Sequence, residues 1–172
     1  PTSPHSEITQ YAVRNMHYHI LFVCLGNICR SPMAEAVFQQ MVDDAGLADR
    51  ISVDSAGTAG WHEGERADHR TLAVLRARGI PYDGRSRPVS VADLDRFDYI
   101  IAMDGQNLAD LRRLDRTGAL QGKLFRLLEF APAGSPRDVP DPYYDNRFEY
   151  VYELVEAGCR GLLAEIRAQH GF

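Results

Sequence analysis

The chain has 172 residues, 45% hydrophobic and 25% charged, which is enough for one well-filled core and too little to divide comfortably into two. A formal charge of −5 argues against nonspecific nucleic-acid binding, and no apolar run reaches the ~20 residues of a membrane helix. With three cysteines, no signal-peptide pattern and no disulfide framework, a cytoplasmic protein is expected.

Residues 1–17 are polar and turn-forming, and are read as a flexible N-terminal extension or tag remnant ahead of a domain at 18–172. Ile20 to Val23 then suits a strand buried on both faces, while Pro32, Met33, Val37 and Met41 suit a helix reaching about Ala45, with Gly46 as its C-cap. Between strand and helix stands Cys24-Leu25-Gly26-Asn27-Ile28-Cys29-Arg30-Ser31. A helix start presents unpaired N–H groups and about half a positive charge to the loop before it, which suits phosphate. Gly26 permits the backbone angles that turn N–H groups inward, and Asn27 tolerates a left-handed conformation. In such a cradle the N–H groups of Leu25 to Cys29, the Arg30 guanidinium and the Ser31 hydroxyl all favour the thiolate of Cys24. Arg30 adds a planar fork that grips two phosphoryl oxygens. The competing reading is a buried Cys beside an incidental Arg.

Ile51 to Ser55 alternates as a second strand. The Gly-flanked loop Gly60 to Glu65 carries the one Trp, Trp61, assigned to a pocket rim, with His62 beside it read as exposed, the other reading being that it tunes what the pocket selects. Asp68 caps a helix that Gly79 ends. Arg85 and Arg87 read as solvated charges, and Val89 to Phe97 as a short helix or irregular segment. Tyr99 to Met103 is a third strand, and Asp104 caps a helix with Leu108, Leu111 and Leu114 on one face, a scaffold element. Lys123 to Leu128 supplies a fourth strand, several prolines follow, and a long helix from about Asp145 to Gln169 buries Phe148, Val151, Val155, Cys159, Leu162 and Ile166. Alternating strands and helices predict a doubly wound α/β domain, a four-stranded parallel sheet with the first strand central and its phosphate-binding loop at the carboxyl edge.

Displacing an oxygen leaving group from a bound phosphoryl centre needs a proton donor. Asp141, stiffened by Pro140 and Pro142, is the candidate, and Trp61, Tyr143 and Tyr144 would form a slot for a flat ring. A turn Asp that merely opens the last helix is the alternative. The histidines have no metal-ligand spacing, and neither a metal nor a cofactor is expected.

Cys24 to Glu35 resembles the signature of the low-molecular-weight protein tyrosine phosphatases, and Ser55-Ala56-Gly57-Thr58, Met103-Asp104 with Asn107, and Asp141-Pro142-Tyr143-Tyr144 resemble further motifs of that family over residues 18–168. The resemblance implies phosphotyrosine hydrolysis through a phosphocysteine on Cys24, with Arg30 as clamp, Asp141 as general acid and base, and Ser55 supporting the loop. The partners it implies are phosphotyrosine proteins, with inorganic phosphate or another oxyanion as product or inhibitor. It also implies a reversible Cys24–Cys29 disulfide under mild oxidation, a buried structural thiol being the other reading of Cys29. The family often has His where Arg78 stands, so the support behind the loop is open, unless Arg78 reaches a carboxylate. An arsenate reductase would need a further cysteine pair that is missing here, and phosphoarginine phosphatases of this fold usually carry Thr at the position of Ile28. A noncatalytic phosphate-binding module is the rival from outside the enzymes. A monomer is expected, with a weak dimer through exposed tyrosines as the other arrangement.

Overall fold

The computed structural model describes residues 16–172, so most of the expected extension lies outside the described residues. At its end His17 is tied to the body, its Nδ1 lying 3.0 Å from the Asp49 carbonyl oxygen and its Nε2 hydrogen-bonded to the Ser52 hydroxyl. Next come β1 (Tyr18–Cys24), β2 (Ile51–Gly57), β3 (Tyr99–Ala102) and β4 (Leu124–Arg126), all parallel, in the spatial order β2-β1-β3-β4. β1 is paired on both edges and covered on both faces. Ile20 to Val23 are therefore apolar without alternation, and all four are fully buried. Val23 is level with Ala56 on one side and Ala102 on the other, so three strands end together. The chain leaves β1 for β2 and later returns to β1's other edge, which makes the carboxyl end of β1 the switch point where ligands enter open sheets.

Helices α1 (Arg30–Asp44), α2 (His69–Ala77) and α5 (Phe148–His170) cover the face carrying Ile20 and Phe22, while α3 (Val91–Arg96) and α4 (Gly105–Leu114) cover the face carrying Leu21 and Val23. The doubly wound architecture is thus as expected. α3, left open from sequence, is a helix because Ser90 and Asp93 close a capping box at its start.

Two of the boundaries that differ from expectation change how elements pack. Leu127 and Leu128 do not extend the fourth strand but begin a 3-10 helix, Leu127–Phe130, whose leucines are buried under α5. α5 starts at Phe148 rather than Asp145, because Asn146 adopts φ 61° and its N–H donates to the Pro142 carbonyl at 2.9 Å, closing a turn instead.

The 3-10 helix and α5 touch backbone to backbone at Gly161, where a Cβ would stand 1.7 Å from the Phe130 carbonyl oxygen. Gly161→Ala should therefore push the two apart and cost about 1–3 kcal/mol, read as a lower urea midpoint. An unchanged midpoint would mean that the elements do not approach this closely.

Candidate active site

The loop from Cys24 to Ser31 is turned inside out by its surroundings. Its carbonyls are drawn outward: Cys24 accepts from Thr58 N–H and Leu25 from Ala59 N–H, both at 2.9 Å, and Ile28 from Asp68 N–H at 2.8 Å. Gly26 accepts from the Ser86 hydroxyl at 3.1 Å and Cys29 from the Thr71 hydroxyl at 3.2 Å. With the carbonyls outward, the amides face the centre. Among the described residues, none of the N–H groups from Gly26 to Arg30 donates to a protein acceptor, and α1 has no side-chain cap. These donors, at the positive end of a helix, are what an oxyanion needs.

Asn27 locks that geometry. It sits at φ 55°, a left-handed conformation that Asn tolerates. Its Nδ2 donates to Ser31 Oγ at 2.8 Å and to Ser55 Oγ at 2.9 Å, and its Oδ1 accepts from Arg87 N–H at 3.0 Å. Since a backbone N–H only donates, the last contact fixes the amide's orientation. Ser31 Oγ, already accepting from Asn27, keeps its own proton for Cys24 Sγ at 3.0 Å, the Ala56 carbonyl at 3.5 Å being the weaker alternative. That proton suits a thiolate sulfur, which is an acceptor only.

Arg30 is 2% exposed. Its Nη1 donates to Asp104 Oδ2 at 2.5 Å and to the Val139 carbonyl at 3.0 Å, and its Nη2 lies 3.6 Å from Asp141 Oδ2. Burial works against the guanidinium charge, but Cys24, Asp104 and Asp141 outweigh it and hold its pKa above the ordinary value. Asp104 is therefore more than the scaffold expected of it. One oxygen caps α4 by accepting from Asn107 N–H at 2.8 Å, and the other aims Arg30. Val139 is the second anchor, its N–H donating to the Met103 carbonyl at 2.9 Å while its own carbonyl holds Arg30. Two residues on, Asp141 Oδ1 accepts from Tyr143 N–H at 3.1 Å and the carboxyl faces the same cleft.

That cleft, of about 160 Å³, has Cys24 and Arg30 at its floor and Trp61, Tyr143 and Tyr144 as walls. Trp61 is 73% exposed and Tyr144 90% exposed, so the walls rise from the surface with their apolar faces in water. His62 is not simply exposed as expected. It lines the cleft, its Nδ1 lies 2.7 Å from Glu65 Oε2, and its ring covers Gly26, where a Cβ would meet it at 3.1 Å.

Behind the loop, Ser55 Oγ donates to Glu35 Oε1 at 2.7 Å, and the Tyr82 hydroxyl approaches the same oxygen at 3.4 Å. Burial lifts the Glu35 carboxyl to about 7, and the Ser55 hydrogen bond offsets only part of that. Arg87 is not a solvated charge but lies between Asp93 at 2.8 Å and Asp54 at 3.0 Å, because its N–H must face Asn27. Arg78 does reach a carboxylate, Glu149 on α5 at 2.6 Å, with its guanidinium 3.8 Å above the Tyr152 ring. It serves helix packing, while Ser55, Glu35 and Tyr82 stand behind Asn27.

Cys29 is buried, and burial followed by the charge of Asp68 pushes its thiol up. All three cysteines are free thiols, and Cys159 is sealed in the core. Among the described residues no cluster of three His, Cys, Asp or Glu is placed to hold a metal, and no helix is long and apolar enough to cross a membrane. Asp104, Val139 and Glu35 are the parts sequence reading missed. Asp104 had a signal, since a capping Asp at the carboxyl end of a strand beside β1 also faces the switch point.

A cysteine in an inward ring of amides stands at the switch point of a doubly wound sheet, faced by a guanidinium and a carboxyl, an arrangement suited to an oxyanion. The chain belongs to the low molecular weight phosphotyrosine protein phosphatase family, whose model matches residues 19–171. It is 51% identical over 158 residues to a low molecular weight protein-tyrosine-phosphatase of Streptomyces coelicolor, covering 90% of this chain and 96% of that one. It is also similar to the crystal structure of YfkJ from Bacillus subtilis, with a TM-score of 0.86, 46% identity and coverage of 91% and 98%. A Drosophila arginine phosphatase has the same fold, with a TM-score of 0.81, 32% identity and coverage of 86% and 97%.

The raised Glu35 carboxyl has a consequence for stability. From the ordinary carboxylate range up to about 7, the folded state binds a proton that the unfolded chain has released. The Glu35 contribution is thus complete below pH ~4.3 and is lost as pH rises through the folded value. Relative to Glu35→Gln, wild type should lose about 1–3 kcal/mol between about pH 4 and pH 8, measured by urea unfolding at each pH. A pH-independent difference would contradict the assignment.

Proposed function

We propose that the protein hydrolyses phosphotyrosine and small aryl phosphates in two steps through a phosphocysteine. The Cys24 thiolate attacks phosphorus in line with the aryl oxygen, the S–P bond forms as the P–O bond breaks, and Asp141 gives its proton to the departing phenoxide. Arg30 and the loop amides grip the three equatorial oxygens and meet the charge that builds there. In the second step the Asp141 carboxylate takes a proton from water, the water oxygen attacks phosphorus, and the electron pair of the S–P bond stays on Cys24 as the thiolate, to which the Ser31 hydroxyl donates its hydrogen bond. Inorganic phosphate leaves. Neither step calls on a metal ion or a cofactor.

One observation carries this reading: Arg30, itself held by Asp104, has Asp141 3.6 Å from its Nη2 across the cleft whose floor is Cys24. The exposed aromatic walls favour a phenyl ring, and Ile28, apolar and 8% exposed in the same cleft, offers no acceptor to the guanidinium of a phosphoarginine. Phosphotyrosine proteins in the cytoplasm are the partners this implies, met by a monomer. A reversible bond between Cys24 and Cys29 remains part of the proposal, its support being that both thiols are free and lie in one short loop.

Wild type should turn over phosphotyrosine and p-nitrophenyl phosphate while leaving phosphoarginine peptides nearly untouched. Cys24→Ser should abolish turnover, by ~10⁴-fold or more, yet still bind inorganic phosphate, and Asp141→Asn should lose about 10²–10⁴-fold with phosphotyrosine. An active Cys24→Ser protein would remove the mechanism, and preference for phosphoarginine would replace the substrate.

A further inference from the structure

Outside the cleft, one side chain joins the nucleophile loop to the acid segment. Arg70, in the first turn of α2, holds the helix-capping Asp68 bidentately, Nε donating to Oδ1 and Nη2 to Oδ2, each at 3.0 Å. Asp68 in turn donates its N–H to the Ile28 carbonyl at 2.8 Å. The free edge of the guanidinium points the other way. Nη1 donates to Asn146 Oδ1 at 3.3 Å, and the group lies 5.5 Å from the centre of the Tyr143 ring and 4.5 Å from that of Phe148, within the range of cation–π attraction.

The segment it reaches needs an outside hold. Residues 143–147 are exposed, and their turn is closed only on itself, by Asn146 N–H on the Pro142 carbonyl and Tyr143 N–H on Asp141. Among the described residues, the ion-pair, hydrogen-bond and ring contacts from other elements onto 140–147 come from Arg30, to Asp141, from Arg70, and at the far end from α5, where Val151 N–H donates to the Arg147 carbonyl at 3.1 Å and the Arg147 guanidinium lies 4.3 Å from the centre of the Tyr150 ring. Arg30 is also needed at the phosphoryl group, so it cannot serve as a dedicated brace.

We propose that Arg70 is a positioning residue for proton transfer, bracing the Tyr143–Asn146 turn against α2 so that the Asp141 carboxyl stays at a set distance from the nucleophile loop. This role rests on the reading of Asp141 as general acid. A displacement of about 1 Å in such a group can cost ~10²-fold, and the loss falls on substrates whose leaving oxygen needs a proton. Lys would not replace Arg70, because one ammonium cannot span a bidentate carboxylate, an amide oxygen and two ring faces at once.

The test is the dependence of log kcat/KM on leaving-group acidity, across phenyl phosphates from dinitrophenyl to unsubstituted phenyl. Wild type should show a shallow slope and Asp141→Asn a steep one. Arg70→Ala should move towards Asp141→Asn, losing ~10-fold or more with phenyl phosphate but no more than ~2-fold with the dinitrophenyl ester, while inhibition by inorganic phosphate stays within ~2-fold. Arg70→Lys and Asn146→Gly should steepen the slope less. Gly keeps the positive φ of Asn146 and deletes only the acceptor, so this variant reports on the brace even if Arg70→Ala fails to fold. A uniform loss at unchanged slope, or no change, in the Arg70 and Asn146 variants would overturn the brace while the Asp141 result leaves the mechanism standing. If Asp141→Asn itself keeps the wild-type slope, the general-acid reading falls and the brace with it.

Discussion

The site depends on one amide. Asn27 is left-handed, and its side chain spends both donors on Ser31 and Ser55 and its acceptor on Arg87, so the tightest point of the nucleophile loop is bonded to α1, to β2 and to the segment after α2 together. A loop this short could relieve its backbone by letting amides rotate outward and carbonyls inward. The amide of Asn27 and the outward hydrogen bonds on the carbonyls of Cys24, Leu25, Gly26, Ile28 and Cys29 prevent it. The cradle is thus set before any ligand arrives, which is the condition under which hydrogen-bond donors stabilise developing charge without reorganisation.

The same constraint sets the direction of the Ser31 proton, and so links the nucleophile to residues that never touch substrate. Glu35 holds Ser55, Ser55 receives Asn27, and Asn27 fixes Ser31. On the other side of the cleft, Asp104 and the Val139 carbonyl place Arg30. Asn27, Ser55 and Asp104 come from the carboxyl ends of β1, β2 and β3, which the parallel register brings level, while Glu35 comes from α1 and Val139 from the segment after the 3-10 helix. A doubly wound sheet supplies such convergence at little cost, since each strand ends in a loop or a helix start on the same edge.

Much of this was legible in the residues. The unbroken apolar run Ile20–Val23 identified an interior strand, and Cys24, Asn27 and Arg30 at a strand-to-helix junction pointed to the loop that the fold turns inward, although the left-handed angle there falls on Asn27 and not on Gly26. Capping residues located α2 and α4. Less legible were features made by tertiary contact. Leu127 and Leu128 look like strand residues until Gly158 and Gly161 of α5 let a 3-10 helix dock, and Arg87 looks solvated until Asp54 and Asp93 enclose it. Asp104 reads as a cap from its own helix, and only the fold shows that its second oxygen meets Arg30.

The central claim is that a phosphoryl group passes through the sulfur of Cys24. Rapid mixing with an aryl phosphate, acid quench and mass spectrometry of the proteolysed protein tests it directly. The account predicts one phosphoryl group on the peptide containing Cys24, released by iodine or mercuric ion, which cleave an S–P bond, and accumulating most in Asp141→Asn once a good leaving group has filled the first step. Turnover with an unmodified Cys24 peptide, or with phosphate on another residue, would contradict it.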